Sequence, residues 1–184
     1  MVNADIITKA DDADGGQNDA DTAFSLGERV IRLAAERGAL IALAESCTGG
    51  LAADLLASVP GASRVFWGSF ICYTLHAKAQ MLGIDPLDLD RWGAVSRETA
   101  EAMARGALER SGSDIAVSVT GLAGPEGDGS PTPLGTVWIG AARRGRQAAA
   151  WLNQYQGDRN EIRRKAAAGC MAVLSRELEA FSNE

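Results

Sequence analysis

Histidine is nearly missing from this chain: His76 is the only one in 184 residues. A multi-histidine metal centre is therefore excluded, and a Ser–His–Asp triad would rest on that single residue. Cysteine is sparse as well. Cys47, Cys72 and Cys170 form an odd set without a secretion signal, which predicts reduced thiols, and their spacing does not fit a zinc site. No apolar run approaches the ~18 residues needed to span a bilayer. The N-terminus lacks the basic-then-apolar pattern of a signal peptide, so the sequence predicts a cytoplasmic protein with no membrane partner. A basic excess is absent too. Net charge is −6, and residues 1–22 hold six acidic side chains against Lys9, leaving −1 for the remainder. A nearly neutral body argues against a nucleic-acid partner held on a broad basic face.

What remains suits one self-sufficient domain, with 46% hydrophobic and 23% charged residues. Residues 1–22 are acidic and rich in Asp, Gly and Ala, with too little apolar surface to offset chain entropy; a disordered tail is expected there and a folded domain over 23–184. From Phe24 helical spacing runs to a stop at Gly38, followed by the apolar run Ala39–Ala44, a Gly-rich turn, and a helix over Leu51–Ala57. Val65–Tyr73 is β-rich, Leu75–Leu82 is helical, Ser96 caps a helix over 97–111, and Ile115–Val119 is apolar. A long loop spans 121–135. Strands over Thr136–Ala142 and Gln147–Tyr155, joined at Arg143–Arg146, form a hairpin, and a last helix runs from about Asp158 to Phe181. Strand–helix alternation closed by a hairpin predicts an α/β fold: a three-layer α/β/α sandwich with a mixed, mostly parallel sheet of about five to six strands.

Ser46 sits where the first predicted strand meets a helix, a place where ligands gather in open α/β sheets. Unpaired N–H groups and positive partial charge are offered there, and Gly49 and Gly50 permit close approach. The serine is either a nucleophile or the helix cap. A nucleophilic serine needs a base, and Lys78 is the only lysine in 38–155. Burial would favour its neutral amine, and Tyr73, five residues earlier, could relay a proton; alternatively Lys78 is a solvated helix residue and Tyr73 part of the core. Cys47 is a rival nucleophile or a small buried residue. Glu45 is expected to orient the turn through backbone hydrogen bonds, while Glu126 and Asp128 lie in the long loop with nothing to pair them. Thr48-Gly49-Gly50 and Arg159 are candidates for holding an anion.

Ordered blocks of this sequence resemble the CinA C-terminal domain family: Ala44-Glu45-Ser46-Cys47-Thr48-Gly49-Gly50, then Val59–Ser63, Phe70–Thr74 with Ala77-Lys78, Gly93–Ser96, Val119–Pro125, Pro133–Val137 and Gly157-Asp158-Arg159. The resemblance covers about residues 24–182. It implies an amidase that hydrolyses the carboxamide of nicotinamide mononucleotide to nicotinic acid mononucleotide and ammonia through a serine acyl-enzyme, in pyridine-nucleotide recycling. On that footing the nucleophile is Ser46 and its partners are Tyr73 and Lys78. Cys47, Thr48, Gly49, Gly50, Thr120, Gly121, Gly124 and Arg159 would contact substrate. No metal or cofactor is implied, and relatives suggest a homodimer or larger assembly. Longer members carry an additional N-terminal nucleotide-pyrophosphatase-like domain; only the acidic segment precedes the match here, so that domain is not expected. One departure stands out. Where relatives commonly have Asn and Glu, this chain has Leu75 and His76, which leaves open a non-catalytic nucleotide-binding module.

Overall fold

A computed structural model describes residues 17–182. The first strand, β1 (Ile41–Glu45), is buried along its whole length, as a central strand covered on both faces must be. Its alternate residues divide between two layers: Ile41 and Leu43 join one apolar cluster, Ala42 and Ala44 the other. β1 pairs in parallel with β2 (Phe66–Ile71) on one side and with β3 (Ile115–Gly121) on the other. β3 then pairs antiparallel with β4 (Thr136–Arg143), and β4 antiparallel with β5 (Ala149–Gln154), giving the order β2-β1-β3-β4-β5. The mixed sheet of the sequence reading is present. Its pairings divide equally between parallel and antiparallel, in place of the mostly parallel set expected, because the closing hairpin reverses β4; the other strands all run one way.

One face of the sheet carries α1 (Gln17–Arg37), α2 (Leu51–Ala57) and α6 (Arg159–Glu179). The other carries α3 (Leu75–Leu82), α4 (Pro86–Trp92) and α5 (Arg97–Ser111). The three layers are therefore those expected. α1 starts at Gln17, ahead of the apolar spacing at Phe24, so residues 17–22 of the expected tail are helical; residues 1–16 lie outside the described residues. α4 was not anticipated, although its signals are local: Asp85 accepts from the Leu87 N–H, Pro86 occupies the first turn, and Leu89 is buried. Among the described residues, no helix is long and apolar enough to cross a membrane.

Alanines on α5 and a glycine on β4 let these two elements approach closely. A Cβ on Gly140 would lie 2.5 Å from the Ala100 carbonyl oxygen and 2.6 Å from Ser118 Oγ. That hydroxyl already donates to the same carbonyl at 2.6 Å, so nothing there can yield cheaply. Gly140→Ala is expected to destabilise the fold by about 2–4 kcal/mol, read as a lowered urea midpoint at unchanged m. An unchanged midpoint would show the contact to be loose.

Candidate active site

The carboxyl ends of β1, β2 and β3 meet at one edge of the sheet. Strand order turns there, with β1 followed by β2 on one side and by β3 on the other, which is where open α/β sheets hold ligands. A cavity of about 280 Å³ opens at this edge, bordered by Ser46 and Cys47 after β1, Tyr73 after β2, Thr120 to Gly124 at the end of β3, and Arg159 from α6.

Ser46 follows β1, held by its N–H donating to the Val119 carbonyl at 2.9 Å. It does not cap α2: that helix begins at Leu51 with Gly50 as its N-cap, and no side chain of the cap residue takes part. Capping falls to Glu45. Its fully buried carboxylate accepts from the N–H groups of Gly50 (2.9 Å), Ala52 (3.1 Å) and Ala53 (3.0 Å), and from the hydroxyls of Thr48 (2.8 Å) and Ser69 (2.9 Å). A carboxylate at the positive end of a helix stabilises it further. The backbone-orienting role expected of Glu45 is thus its observed one. Gly49 and Gly50, at φ 59° and 103°, occupy the left-handed backbone region that the turn requires.

Lys78 is 1% exposed. Its Nζ donates to Ser46 Oγ at 2.9 Å and to the Cys72 carbonyl at 3.0 Å. Burial pulls its pKa down from 10.5 to about 8, the dominant cause being lost solvation of the ammonium. Position adds to this, since Lys78 lies in the first turns of α3, near the end of the helix dipole that disfavours a cation. The solvated alternative for Lys78 is therefore set aside. Cys47 is buried in the apolar cluster, and desolvation pushes its thiol up to about 11, which leaves it a poor nucleophile. His76 is exposed; neither it nor Leu75 borders the cavity, so the departure from the family pattern does not reach the site.

Other expected contacts are distributed differently. Tyr73 is 56% exposed, and its hydroxyl accepts from Arg159 Nη2 at 2.8 Å; among the described residues it makes no hydrogen bond to Lys78 or Ser46, so the expected proton relay gives way to a place on the cavity rim. Extended backbone explains this, because the buried Cys72 and its neighbour Tyr73 must point to opposite sides. Arg159 also donates to the Gly124 carbonyl, tying α6 to the long loop. The Thr120 hydroxyl donates to the Ala94 carbonyl at 2.6 Å, which commits its proton. Thr48, Gly49 and Gly50 do not border the cavity, whereas Gly121 and Gly124 do. Glu126 and Asp128 border it too. Among the described residues, no group of three or more His, Cys, Asp or Glu side chains is placed to hold a metal ion. Sequence reasoning missed Arg163. Four residues beyond Arg159 and so on the same side of α6, it donates from Nε to the Cys47 carbonyl (3.1 Å) and from Nη2 to the Thr48 carbonyl (2.8 Å).

Fold and site define a class: three-layer α/β domains with a serine–lysine pair at the carboxyl ends of the strands. The chain belongs to the CinA C-terminal domain family, whose profile matches residues 23–178. Among relatives, a CinA-like protein of Geobacter metallireducens is 44% identical over 164 residues, covering 89% of this chain and 40% of that protein. The nicotinamide-nucleotide amidohydrolase PncC of Shigella flexneri is 40% identical over 151 residues, covering 82% of this chain and 92% of that protein. The chain spans about two-fifths of the length of the CinA-like relatives it matches. The crystal structure of a competence/damage inducible protein from Agrobacterium tumefaciens is similar with a TM-score of 0.81 and 38% identity, over 86% of this chain and 96% of that one.

Proposed function

We propose that this protein is a serine–lysine amidohydrolase acting on nicotinamide mononucleotide, releasing ammonia and nicotinic acid mononucleotide. The observation that carries the reading is the 2.9 Å hydrogen bond between a buried lysine of lowered pKa and a serine hydroxyl facing a ligand-sized cavity. The near-complete coverage of the Shigella amidohydrolase supports the substrate.

In the reaction, the neutral Lys78 amine takes the Ser46 proton while Oγ bonds to the carboxamide carbon. Gly49 and Gly50 cannot help the resulting oxyanion, since the first N–H donates to the Ser46 carbonyl and the second to Glu45. The Cys47 N–H donates to no carbonyl or carboxylate among the described residues, only toward its own thiol, and Cys47 borders the cavity. It is the donor for the oxyanion, worth about 3 kcal/mol in the transition state. Collapse breaks the carbon–nitrogen bond, and Lys78 returns its proton to the leaving nitrogen as ammonia. Water then attacks the acyl carbon, giving one proton to Lys78 and on to Ser46 Oγ as the carboxylic acid departs. Arg159, with the Gly121–Gly124 segment, supplies the anchor for the phosphate.

The test is ammonia release from nicotinamide mononucleotide by purified protein, followed across pH. Because Lys78 must be unprotonated to act, kcat/KM is expected to rise with pH along a single ionisation centred near 8. Calorimetric binding without turnover would make the protein a binding module and end the reading. A flat profile between pH 6 and 9 would remove Lys78 as the base.

A further inference from the structure

Arg163 has no carboxylate within salt-bridge distance among the described residues; its guanidinium serves backbone carbonyls and the Asn160 side chain (3.3 Å) instead. A half-buried arginine spent on two successive carbonyls of the nucleophile turn calls for a physical account. We propose that Arg163 is a positioning residue that aims the Cys47 N–H at the developing oxyanion, an inference that rests on the hydrolase reading above.

The argument follows from the planarity of the trans peptide, in which C=O and N–H point in opposite directions. Arg163 Nη2 draws the Thr48 carbonyl toward α6 at 2.8 Å. The Gly49 N–H in the same plane must then point away from α6, and it donates to the Ser46 carbonyl at 3.1 Å. That bond fixes the Ser46–Cys47 plane, and with it the Cys47 N–H on the side opposite the Ser46 carbonyl. Arg163 Nε holds the intervening Cys47 carbonyl at 3.1 Å, so the plane between them cannot flip on its own. One guanidinium thus sets the planes through which the amide beside the nucleophile is oriented. A lysine would reach the two carbonyls from a single nitrogen on a flexible stem, where arginine holds each from a separate nitrogen of a rigid plane, so its hold on their orientation is weaker.

The experiment compares wild type with Arg163→Met and Arg163→Lys. Arg163→Met is expected to lower kcat for nicotinamide mononucleotide by about 10- to 100-fold, less than or equal to the loss of a whole oxyanion donor. KM and the pH midpoint near 8 should hold, since neither phosphate anchor nor base is touched. Arg163→Lys should fall between the two. Labelling of Ser46 by a fluorophosphonate probe should slow by the same factor, and amide hydrogen exchange should accelerate at least about tenfold within residues 47–50 alone. Wild type that labels but releases no ammonia defeats the substrate reading while the labelling ratio still decides the role of Arg163; if nothing labels, the exchange ratio decides it. Turnover, labelling and exchange like wild type overturn the proposal. So does faster exchange over the whole chain with a lowered denaturation midpoint, which would make Arg163 a structural residue.

Discussion

Lys78→Met is expected to reduce ammonia release by about 10⁴-fold while leaving the protein folded. Methionine fills similar space without an amine, so Ser46 loses the amine that hydrogen-bonds its hydroxyl while the packing around α3 is kept. Ser46→Ala should cost about as much, and the double variant no more than either alone, because nucleophile and base act as one unit. Stability should move in the other direction from activity or scarcely at all. Below about pH 8 the buried Lys78 carries a charge that the fold disfavours, and methionine removes it. The pH dependence separates the two effects. Folded Lys78 titrates near 8 and the unfolded side chain near 10.5, so the unfolded state binds more protons between them and this contribution to stability rises with pH. Cys47 and Cys72, held near 11 against an ordinary 9.0, act in the opposite sense above pH 9. The clean window is pH 8–9, where wild type should gain stability and Lys78→Met should not. A Lys78→Met protein that hydrolyses amide at wild-type rate would defeat the mechanism.

The second large effect falls on the fold. Glu45→Ala removes one carboxylate and strands five donors: the N–H groups of Gly50, Ala52 and Ala53 and the hydroxyls of Thr48 and Ser69. Each buried donor left unpaired costs on the order of 1–3 kcal/mol, less where water enters, and the first turn of α2 loses the carboxylate that caps it. The expected total is about 4–6 kcal/mol, which for a chain of this size lowers Tm by roughly 10–20 °C. Glu45→Gln presents an amide NH₂ to donors that need acceptors, so it should recover less than half of the loss. Calorimetry on the three proteins measures this. A Glu45→Ala midpoint within 3 °C of wild type would mean that the turn finds other partners.

Much of this architecture was legible because its signals are local. Gly83 and Gly112 end α3 and α5 in left-handed conformations, Ser96 accepts from the Thr99 N–H, and Asp158 with Glu161 forms a reciprocal capping box on α6. The site was legible in part. Ser46 stood out from its Gly-rich turn, but whether Lys78 was wet or dry depended on what α3 packs against. A hint was present in the spacing, since Lys78 shares a helix face with Leu82, buried four residues on. The place of Tyr73 depends on which way its side chain leaves the extended segment after β2, and its closeness to Lys78 in sequence does not set that. Arg163 escaped notice because its partners are main-chain carbonyls more than a hundred residues away, which no composition or periodicity records. The reversed β4 followed from the hairpin, yet its effect on the balance of pairings emerged only with the strand order.

The site draws its parts from both coats of the sheet. The proposed nucleophile and base are encoded by residue 78, whereas the two arginines that grip the turn and the long loop arrive with α6. A chain emerging from a ribosome would hold its reactive pair long before it holds the wall opposite. On the hydrolase reading, synthesis itself therefore delays competence: the nascent polypeptide stays chemically silent until the segment from Asp158 onward has docked, and a truncation before Asp158 should yield a species that carries Ser46 and Lys78 but turns nothing over.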